Sequence, residues 1–243
     1  MRTIRIHVDL PLAAGDTLGL PPQAGEHVAR VLRLGAGDPL VLFNGDGMDY
    51  DAVLLAVGKR EVTAQVRAAR TVANESPLRL TLAQGVARGE KMDLIVQKAT
   101  ELGAARIVPL LTERAEVKLD GERAGKRLAH WRAVAASACE QCGRARLPVI
   151  EPAQALPDWL AAQAAGEALR LALLPEGTHA ARGLAPAGAA TVVVGPEGGL
   201  GPRDVALLQE AGFLGLRLGP RILRTETAGL AALAALQALY GDG

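Results

Sequence analysis

The residues whose types and spacing are most suggestive of chemistry form three glycine- and proline-rich turns in the last third of the chain. These turns read Leu-Pro-Glu-Gly at 174–177, Gly-Pro-Glu-Gly-Gly at 195–199 and Leu-Gly-Pro-Arg at 218–221. Each turn follows a short apolar run that predicts a buried strand. Because the carboxyl ends of parallel strands meet at one edge of a sheet, three neighbouring strands would bring these turns together around one ligand.

Motifs for several other chemistries are missing from the sequence. No Gly-Lys-Ser/Thr follows the glycines at 195–201, so a Walker-type phosphate loop is not indicated, and no GxSxG nucleophile elbow occurs. The four histidines form no close pair, and we therefore expect no metal site. Turns rich in backbone groups suit an uncharged purine that presents its reactive group to a second substrate. Alternatively, the glycines only permit tight turns.

The composition is typical of a soluble globular protein. Of 243 residues, 49% are hydrophobic and 22% are charged, which suits one large or two small domains. No apolar run approaches the roughly 20 residues of a membrane span, and the first residues do not resemble a signal peptide. We therefore expect a cytoplasmic protein without a membrane partner. Because only 2% of residues are aromatic, base stacking on aromatic side chains is not expected to dominate recognition.

The basic residues are concentrated in the middle of the chain and are mostly arginine. Residues 76–150 hold 13 Lys/Arg against 8 Asp/Glu, and 22 of the 27 basic residues are arginine. Arginine suits bidentate phosphate contacts, although a coding bias towards Arg, Ala and Gly would give the same composition.

Cys139 and Cys142 form a CxxC, which can indicate redox chemistry or half of a zinc site. Because no second CxxC exists and the motif lies in or just after a helical pattern, we expect two reduced thiols.

The pattern of strands and helices changes near residue 72. Before it, strands are predicted at 4–8, 39–43, 50–57 and 62–66, the last two joined through a turn at 58–60, with one helix over 24–34. After it, strands at 78–83, 106–111, 169–173, 191–194 and 213–218 alternate with helices at 90–102, 125–139 and 228–239. This alternation predicts an α/β domain with a mostly parallel sheet. We therefore expect a β-rich domain at 1–72 and an α/β domain at 73–243.

Several strings of the chain resemble a known family. GPEGGLGPRDV and GFLGLRLGPRILRTETAGLAAL are similar to the C-terminal signature of the SPOUT superfamily of S-adenosylmethionine (SAM)-dependent RNA methyltransferases. More narrowly, they resemble the ribosomal RNA small-subunit methyltransferase E family. The likeness extends through QKATELG at 97–103, CEQCGR at 139–144 and HVARVLRLGAGD at 27–38, and so covers nearly the whole chain.

The resemblance implies both a fold and an activity. The fold would be a PUA-like N-terminal β-barrel for RNA followed by a SPOUT α/β domain with a deep trefoil knot, an exception to the usual unknotted topology. The activity would be SAM-dependent methylation of N3 of uridine 1498 in the 16S ribosomal RNA of the small subunit, by a homodimer. The apolar helix at 228–239 agrees with a dimer, since it needs burial on more than one side.

The resemblance also implies roles for individual residues. Arg224 is the candidate for steadying the developing uridine anion, with Glu197 or Glu226 next; alternatively, Arg224 forms a structural ion pair with one of these glutamates. The residues expected to hold SAM, mostly through backbone groups, are Leu174, Gly195, Pro196, Glu197, Gly199, Leu218, Gly219, Ile222, Leu223, Thr225 and Thr227. The residues expected to contact RNA are His27, Arg30, Arg33, Arg114 and Arg144. The first three would equally suit a solvated helix face.

Two further functions stay open at this point. The chain could be a SPOUT methyltransferase for another RNA atom, such as a ribose 2′-OH or a tRNA purine. It could also be a non-catalytic RNA-binding protein with a vestigial pocket. The intact turns argue against the second alternative, and the N-terminal module favours the ribosomal enzyme over the first.

Overall fold

The protein forms two compact units. The computed structural model describes residues 4–58, 61–117, 121–163, 168–185 and 187–243. Unit 1 consists of residues 1–75 and 136–147, and unit 2 consists of residues 76–135 and 148–243. The first boundary lies close to the one expected at residue 72. The assignment of residues 136–147 to the N-terminal unit was not predicted.

Unit 1 is built on a five-stranded sheet. Its strands are β1 (Arg5–His7), β2 (Thr17–Gly19), β3 (Pro39–Phe43), β4 (Met48–Val57) and β5 (Val62–Thr71). They lie in the order β1-β3-β4-β5-β2, with β1 and β3 parallel and the other pairs antiparallel. The predicted β4–β5 hairpin is confirmed, although residues 59 and 60 of its turn lie outside the described part of the chain. Closure of this sheet into a barrel stays a prediction.

The helix of unit 1 is shorter than predicted. Helix α1 (Pro22–Glu26) continues into a single π-helical turn, His27–Val31. The N–H of Leu32 donates to the carbonyl of His27 at 3.0 Å. The chain then leaves the helix at Arg33, whose φ of 55° is left-handed. The predicted stop at Gly35 was therefore wrong, because Arg33 adopts the helix-ending conformation first.

Residues 136–147 join unit 1 through buried polar contacts. The Arg5 guanidinium donates to the carbonyl of Cys139 at 2.8 Å and to Asp49 Oδ1 at 2.6 Å. The N–H of His7 donates to Glu140 Oε1 at 2.9 Å. Burial raises the pKa of the Glu140 carboxyl, and this hydrogen bond from His7 opposes the rise. The contacts with Cys139 and Glu140 join residues more than 130 positions apart, so hydrophobic periodicity carries no signal for them.

Unit 2 contains a seven-stranded parallel sheet. Its strands are β6 (Arg79–Gly85), β7 (Ala104–Leu111), β8 (Val149–Ile150), β9 (Gln154–Ala155), β10 (Leu169–Leu173), β11 (Ala189–Val194) and β12 (Leu214–Leu216). The order is β12-β10-β11-β6-β7-β8, and β9 also pairs with β7. The condition for a shared edge is met, since β10 pairs in parallel with both β11 and β12. The mixed α/β architecture predicted from the alternation of elements is confirmed as well.

Helices cover both faces of this sheet. They are α2 (Glu90–Glu101), α3 (Gly121–Cys142), α4 (Leu156–Ala161), α5 (Pro202–Glu210) and α6 (Thr225–Tyr240), with a 3₁₀ turn at Ala181–Gly183. Helix α3 is longer than predicted, and its last residues belong to unit 1. Among the described residues, no helix combines the length and apolar character needed to span a bilayer.

Helix α6 approaches the sheet closely at Gly229. A Cβ built on Gly229 would lie 3.3 Å from Leu82 Cδ1 on β6 and 3.4 Å from Val194 Cγ2 on β11. The missing side chain therefore lets the helix backbone approach both strands. The apolar residues Ala232, Leu233 and Leu236 continue this buried face.

We expect Gly229→Val to lower the free energy of unfolding by about 1–3 kcal/mol, because the added γ-carbons would overlap Leu82 and Val194. Ala234→Val, on an exposed position of the same helix, is the matched control and should change stability by less than about 1 kcal/mol. Urea unfolding of both variants measures the difference. Equal effects of the two substitutions would contradict close packing at Gly229.

Candidate functional site

A cleft of about 920 Å³ opens at the carboxyl edge of the parallel sheet in unit 2. It is lined by the turns that follow β10 and β11, by the segment before α6 and by the first turn of α6. A smaller cavity of about 160 Å³, lined also by the turn after β12, adjoins it and shares Leu174, Ile222 and Leu223 with it. The cleft has the size of a small-molecule site, for which about 300–1,000 Å³ is usual.

The structure brings most of the predicted ligand-binding residues together. The predicted site residues that line the cleft or the adjoining cavity are Leu174, Gly195, Pro196, Glu197, Gly199, Leu218, Gly219, Ile222, Leu223, Arg224, Thr225, Glu226 and Arg114. Thr227 is exposed and lies outside both linings. Lys91 also lines the cleft and was not predicted. Lys91 lies in the helix that follows β6, and the carboxyl end of β6 meets the same edge of the sheet. This position in the chain could have indicated Lys91 as a lining residue.

The turn after β11 is packed so tightly that its glycines are required. A Cβ built on Gly195 would lie 2.5 Å from the carbonyl carbon of Gly199 and 2.6 Å from the nitrogen of Leu200. Gly199 has a φ of +71° and donates its N–H to the carbonyl of Pro196 at 2.9 Å. A Cβ on Gly85, at the end of β6, would lie 2.6 Å from Pro196. Side chains are therefore excluded at Gly195 and Gly85, and this turn presents mainly backbone to the cleft.

Thr225 fastens the start of α6 to this turn. Its hydroxyl donates to the carbonyl of Gly195 at 2.6 Å and accepts a hydrogen bond from Gln84 Nε2 at 2.9 Å. Gln84 is fully buried and Thr225 nearly so. Thr225 lines the cleft, but its hydroxyl is engaged by Gly195 and Gln84. The role of Gln84 was not predicted from the sequence.

Glu197 lies in an ion pair at the mouth of the cleft. Its carboxylate accepts hydrogen bonds from Lys91 Nζ at 3.0 Å and from the N–H of Arg88 at 3.1 Å. Burial acts to raise the pKa of Glu197, but hydrogen bonds from its own N–H, from Lys91 and from Arg88 outweigh it and leave the pKa below the ordinary value. Glu197 is therefore ionised at neutral pH and is a weak proton acceptor.

Arg224 and Glu226 flank Thr225 and border the same cleft. The side chain of Arg224 is exposed, and no ion pair to Glu197 or Glu226 is found within the described residues. The alternative of a structural ion pair for Arg224 is therefore not supported. In Glu226, the Oε2 atom is buried and has no hydrogen-bond partner among the residues that the structure describes.

The segment after β7 forms hydrogen bonds with the turn after β11 and with helix α5. Arg114 Nη1 donates to the carbonyl of Gly198 at 2.9 Å, and the N–H of Glu113 donates to the buried Asp204 carboxylate at 3.1 Å. Asp204 Oδ2 also accepts the N–H of Gly201 at the start of α5. These contacts hold the segment after β7 against the turn after β11.

The remaining residues predicted to contact RNA lie in unit 1. His27 is half-buried, while Arg30 is exposed and pairs with Glu26 at 2.5 Å. Arg33 is exposed but lies beyond the π-helical turn, so the three residues do not form one continuous helix face. Arg144 is only 5% exposed and donates to both carboxylate oxygens of Glu75, at 3.0 and 2.7 Å. The prediction for Arg144 therefore disagrees with the structure, because its guanidinium is buried and paired with the half-buried Glu75 carboxylate.

The CxxC cysteines end helix α3 inside unit 1. A hydrogen bond with Cys142, together with burial, raises the pKa of the Cys139 thiol, which therefore stays protonated at neutral pH. In the described part of the chain, no group of three or more His, Cys, Asp or Glu side chains is arranged to hold a metal ion.

Comparison with known proteins relates this geometry to a family. The family model of the RNA methyltransferase domain matches residues 74–237, and that of the RNA methyltransferase PUA domain matches residues 20–67. A ribosomal RNA small subunit methyltransferase E from Mycobacterium bovis is 34% identical over 98% of this chain and 93% of its own length.

Two solved structures resemble the whole chain. A Legionella pneumophila protein, described as a methyltransferase in complex with SAM, is 40% identical, with a TM-score of 0.96 over 100% of both chains. A ribosomal RNA small subunit methyltransferase E from Neisseria gonorrhoeae, bound to SAM, is 38% identical, with a TM-score of 0.92 over 99% of both chains.

The match to the RNA methyltransferase and PUA domain models, on a chain whose parallel sheet carries a cleft at its carboxyl edge, identifies an RNA methyltransferase. Within that class, the chain belongs to the ribosomal RNA small subunit methyltransferase E family.

We expect Thr225→Val to lower the free energy of unfolding by about 1–3 kcal/mol, since it leaves the buried Gly195 carbonyl and a Gln84 N–H without their shared partner. Thr227→Val, two residues along the same helix and exposed, should change stability by less than about 0.5 kcal/mol. Chemical denaturation compares the two variants. A Thr225→Val protein as stable as Thr227→Val would show that the buried hydroxyl makes no net contribution.

Proposed function

We propose that the protein transfers the methyl group of SAM to N3 of uridine 1498 in the 16S RNA of the small ribosomal subunit. The observation that carries this proposal is the cleft with its adjoining cavity, which together are lined by the three glycine-rich turns, in a chain similar over its whole length to two proteins solved with SAM. The named small-subunit relatives support ribosomal RNA as the acceptor. The choice of uridine N3 rests on the family resemblance of the motifs.

The cleft fits SAM in size and in the nature of its wall. A volume of about 920 Å³ accommodates a ligand of this class, and any side chain at Gly195 would fill the tight turn that forms one wall. Backbone groups of Leu174, of the turn at 195–199 and of the segment at 218–223 would hold the adenine and ribose. SAM would supply a methyl group on a positively charged sulfur. The protein's main task is then to align this methyl group with the acceptor nitrogen.

The acceptor nitrogen must lose its proton as the new N–CH₃ bond forms. Arg224 borders the cleft without an ion pair among the described residues, so its guanidinium is available to steady negative charge on the uracil ring. Glu197 is a poor proton acceptor because its pKa is lowered. Of the two glutamates considered, Glu226 is the better candidate, since it lines the cleft and, unlike Glu197, forms no ion pair among the described residues.

Unit 1 and the outer side of α6 would serve RNA binding and assembly. Exposed Arg30 and Arg33, together with His27 and with Arg114 of unit 2, are the proposed contacts to RNA phosphates. Arg144 is left out because it is buried. The exposed apolar residues of α6, including Leu239 at 42% exposure, support a homodimer. The closed barrel, the trefoil knot and a cytoplasmic location form part of the same proposal.

Arg224→Ala should lower kcat for methyl transfer by about 100- to 1,000-fold, the usual effect of removing a group that stabilises developing charge. Its dissociation constant for SAM, measured by calorimetry, should change less than about threefold, because backbone groups form the proposed SAM site. Arg203→Ala, an exposed arginine of α5 outside the cleft lining, serves as the control and should retain activity. Normal turnover by Arg224→Ala would remove Arg224 from the mechanism.

The reaction itself is tested with small ribosomal subunits from a strain that lacks the gene. Subunits are incubated with the protein and methyl-labelled SAM, and the modified nucleotide is mapped by mass spectrometry. A single N3-methyluridine at position 1498 is expected. Label on another nucleotide would retain the SAM-dependent activity but overturn the proposed specificity, and an absence of label with SAM still bound would overturn the ribosomal substrate.

A further inference from the structure

Gln84 is a fully buried amide at the carboxyl end of β6, in the interior of the parallel sheet. Its Nε2 donates to the carbonyl of Gly85 and to the hydroxyl of Thr225, both at 2.9 Å. The carbonyl of Gly195 lies 3.4 Å from the same nitrogen. The opposite amide orientation would place Oε1 against the Gly85 carbonyl oxygen, so the hydrogen-bond network selects the orientation observed.

The oxygen of this amide lies on the side that faces α6. Gln84 Oε1 is buried and accepts no hydrogen bond from the residues that the structure describes. It lies beside Gly229, where a Cβ built on the glycine would be 3.5 Å away. A buried acceptor without a donor lowers stability, and an apolar side chain of the same size would avoid that loss. The favourable contribution of Gln84 therefore lies in the hydrogen bonds that its nitrogen donates.

Those hydrogen bonds connect three segments that meet at the cleft. Gly85 ends β6, Gly195 begins the turn after β11, and Thr225 begins α6. Thr225 directly follows Arg224, whose own carbonyl accepts the N–H groups of Thr227 and Ala228 at 2.9 and 2.8 Å. The backbone of Arg224 is thus held by α6 on one side and, through Thr225, by Gln84 and Gly195 on the other.

We propose that Gln84 is a positioning residue for methyl transfer: acting through Thr225, it sets the start of α6, and with it Arg224, against the turn after β11. Gln84 does not line the cleft and so touches neither the cofactor nor the RNA. This inference rests on the function proposed above. A shift of about 1 Å in the groups that border a reacting centre can lower a rate by about 100-fold, so the network is expected to affect turnover more than binding.

The test compares Gln84→Met with Gln237→Met. Gln237 is also buried, lies at the other end of α6, and likewise makes two hydrogen bonds, with Ser76 Oγ at 2.7 Å and the carbonyl of Leu102 at 2.9 Å. Both variants lose an amide of the same type and should lose stability. Gln84→Met should lower kcat at least about tenfold, with KM for small ribosomal subunits within about twofold, whereas Gln237→Met should keep kcat within about twofold.

Two further variants separate positioning from folding. Thr225→Ser keeps the bridging hydroxyl and should lose clearly less kcat than Thr225→Val, which should lose as much as Gln84→Met. The double variant Gln84→Met/Thr225→Val should be no slower than the slower single variant, because the two residues act as one unit. If Gln84→Met does not fold, equal kcat values for Thr225→Ser and Thr225→Val would overturn the proposal.

Hydrogen exchange gives a readout that does not depend on activity. The backbone amides of residues 220–228 should exchange faster in Gln84→Met than in the unmodified protein. In Gln237→Met they should exchange at the rate of the unmodified protein. If the unmodified protein transfers no methyl group, the proposed function fails, and this exchange alone decides the role of Gln84. Unchanged exchange in Gln84→Met, an unchanged kcat, or an equal loss of kcat in Gln237→Met at matched stability would each overturn the proposal.

Discussion

The parallel pairing of β10 with β11 and β12 is the constraint on which the site depends. Leu171 on β10 is in register with Val192 on one side and with Leu214 on the other. Strands aligned in this way end at the same edge, and the turns that follow them face one space. Were one of these strands antiparallel, its turn would lie at the opposite edge and the cleft would lose a wall. The chain can therefore gather its glycine-rich turns around one ligand site, provided that the strand order is correct.

A small buried polar network adds order to this arrangement. Gln84, Thr225 and the Gly195 carbonyl join the sheet, the turn after β11 and the last helix at one point. A hydrogen bond between buried groups is electrostatically stronger than one in water, and an unpaired buried group is correspondingly unfavourable. The network therefore restricts the relative positions of these segments more sharply than apolar packing would. Such restriction suits a transfer reaction, in which alignment of donor and acceptor supplies much of the rate.

The arginines of this chain divide into two populations that composition cannot separate. The guanidinium groups of Arg5 and Arg144 point inward. Arg5 donates to Asp49 and to the carbonyls of Cys139 and Arg144, and Arg144 donates to Glu75. Arg30 and Arg33 lie on the surface of the same unit, and Arg224 borders the cleft of unit 2. Arginine supplies several donors in a fixed planar geometry, and this serves a buried carboxylate as well as it serves a phosphate. Only the surroundings of each residue decide between the two roles.

By itself, the sequence determined the strands β3 and β10, helices α2 and α6, the glycine turns and the α/β class, because these depend on local periodicity and on Gly-Pro punctuation. It also supplied most of the residues that line the cleft, since each turn follows its strand directly. Tertiary structure alone decided that residues 136–147 join unit 1, that Arg144 is buried, and that Lys91 and Glu197 pair at the cleft. The network of Gln84 with Thr225 was equally out of reach. The physical reason is distance along the chain: these contacts join residues about 70 to 140 positions apart, and their formation depends on which strands become neighbours.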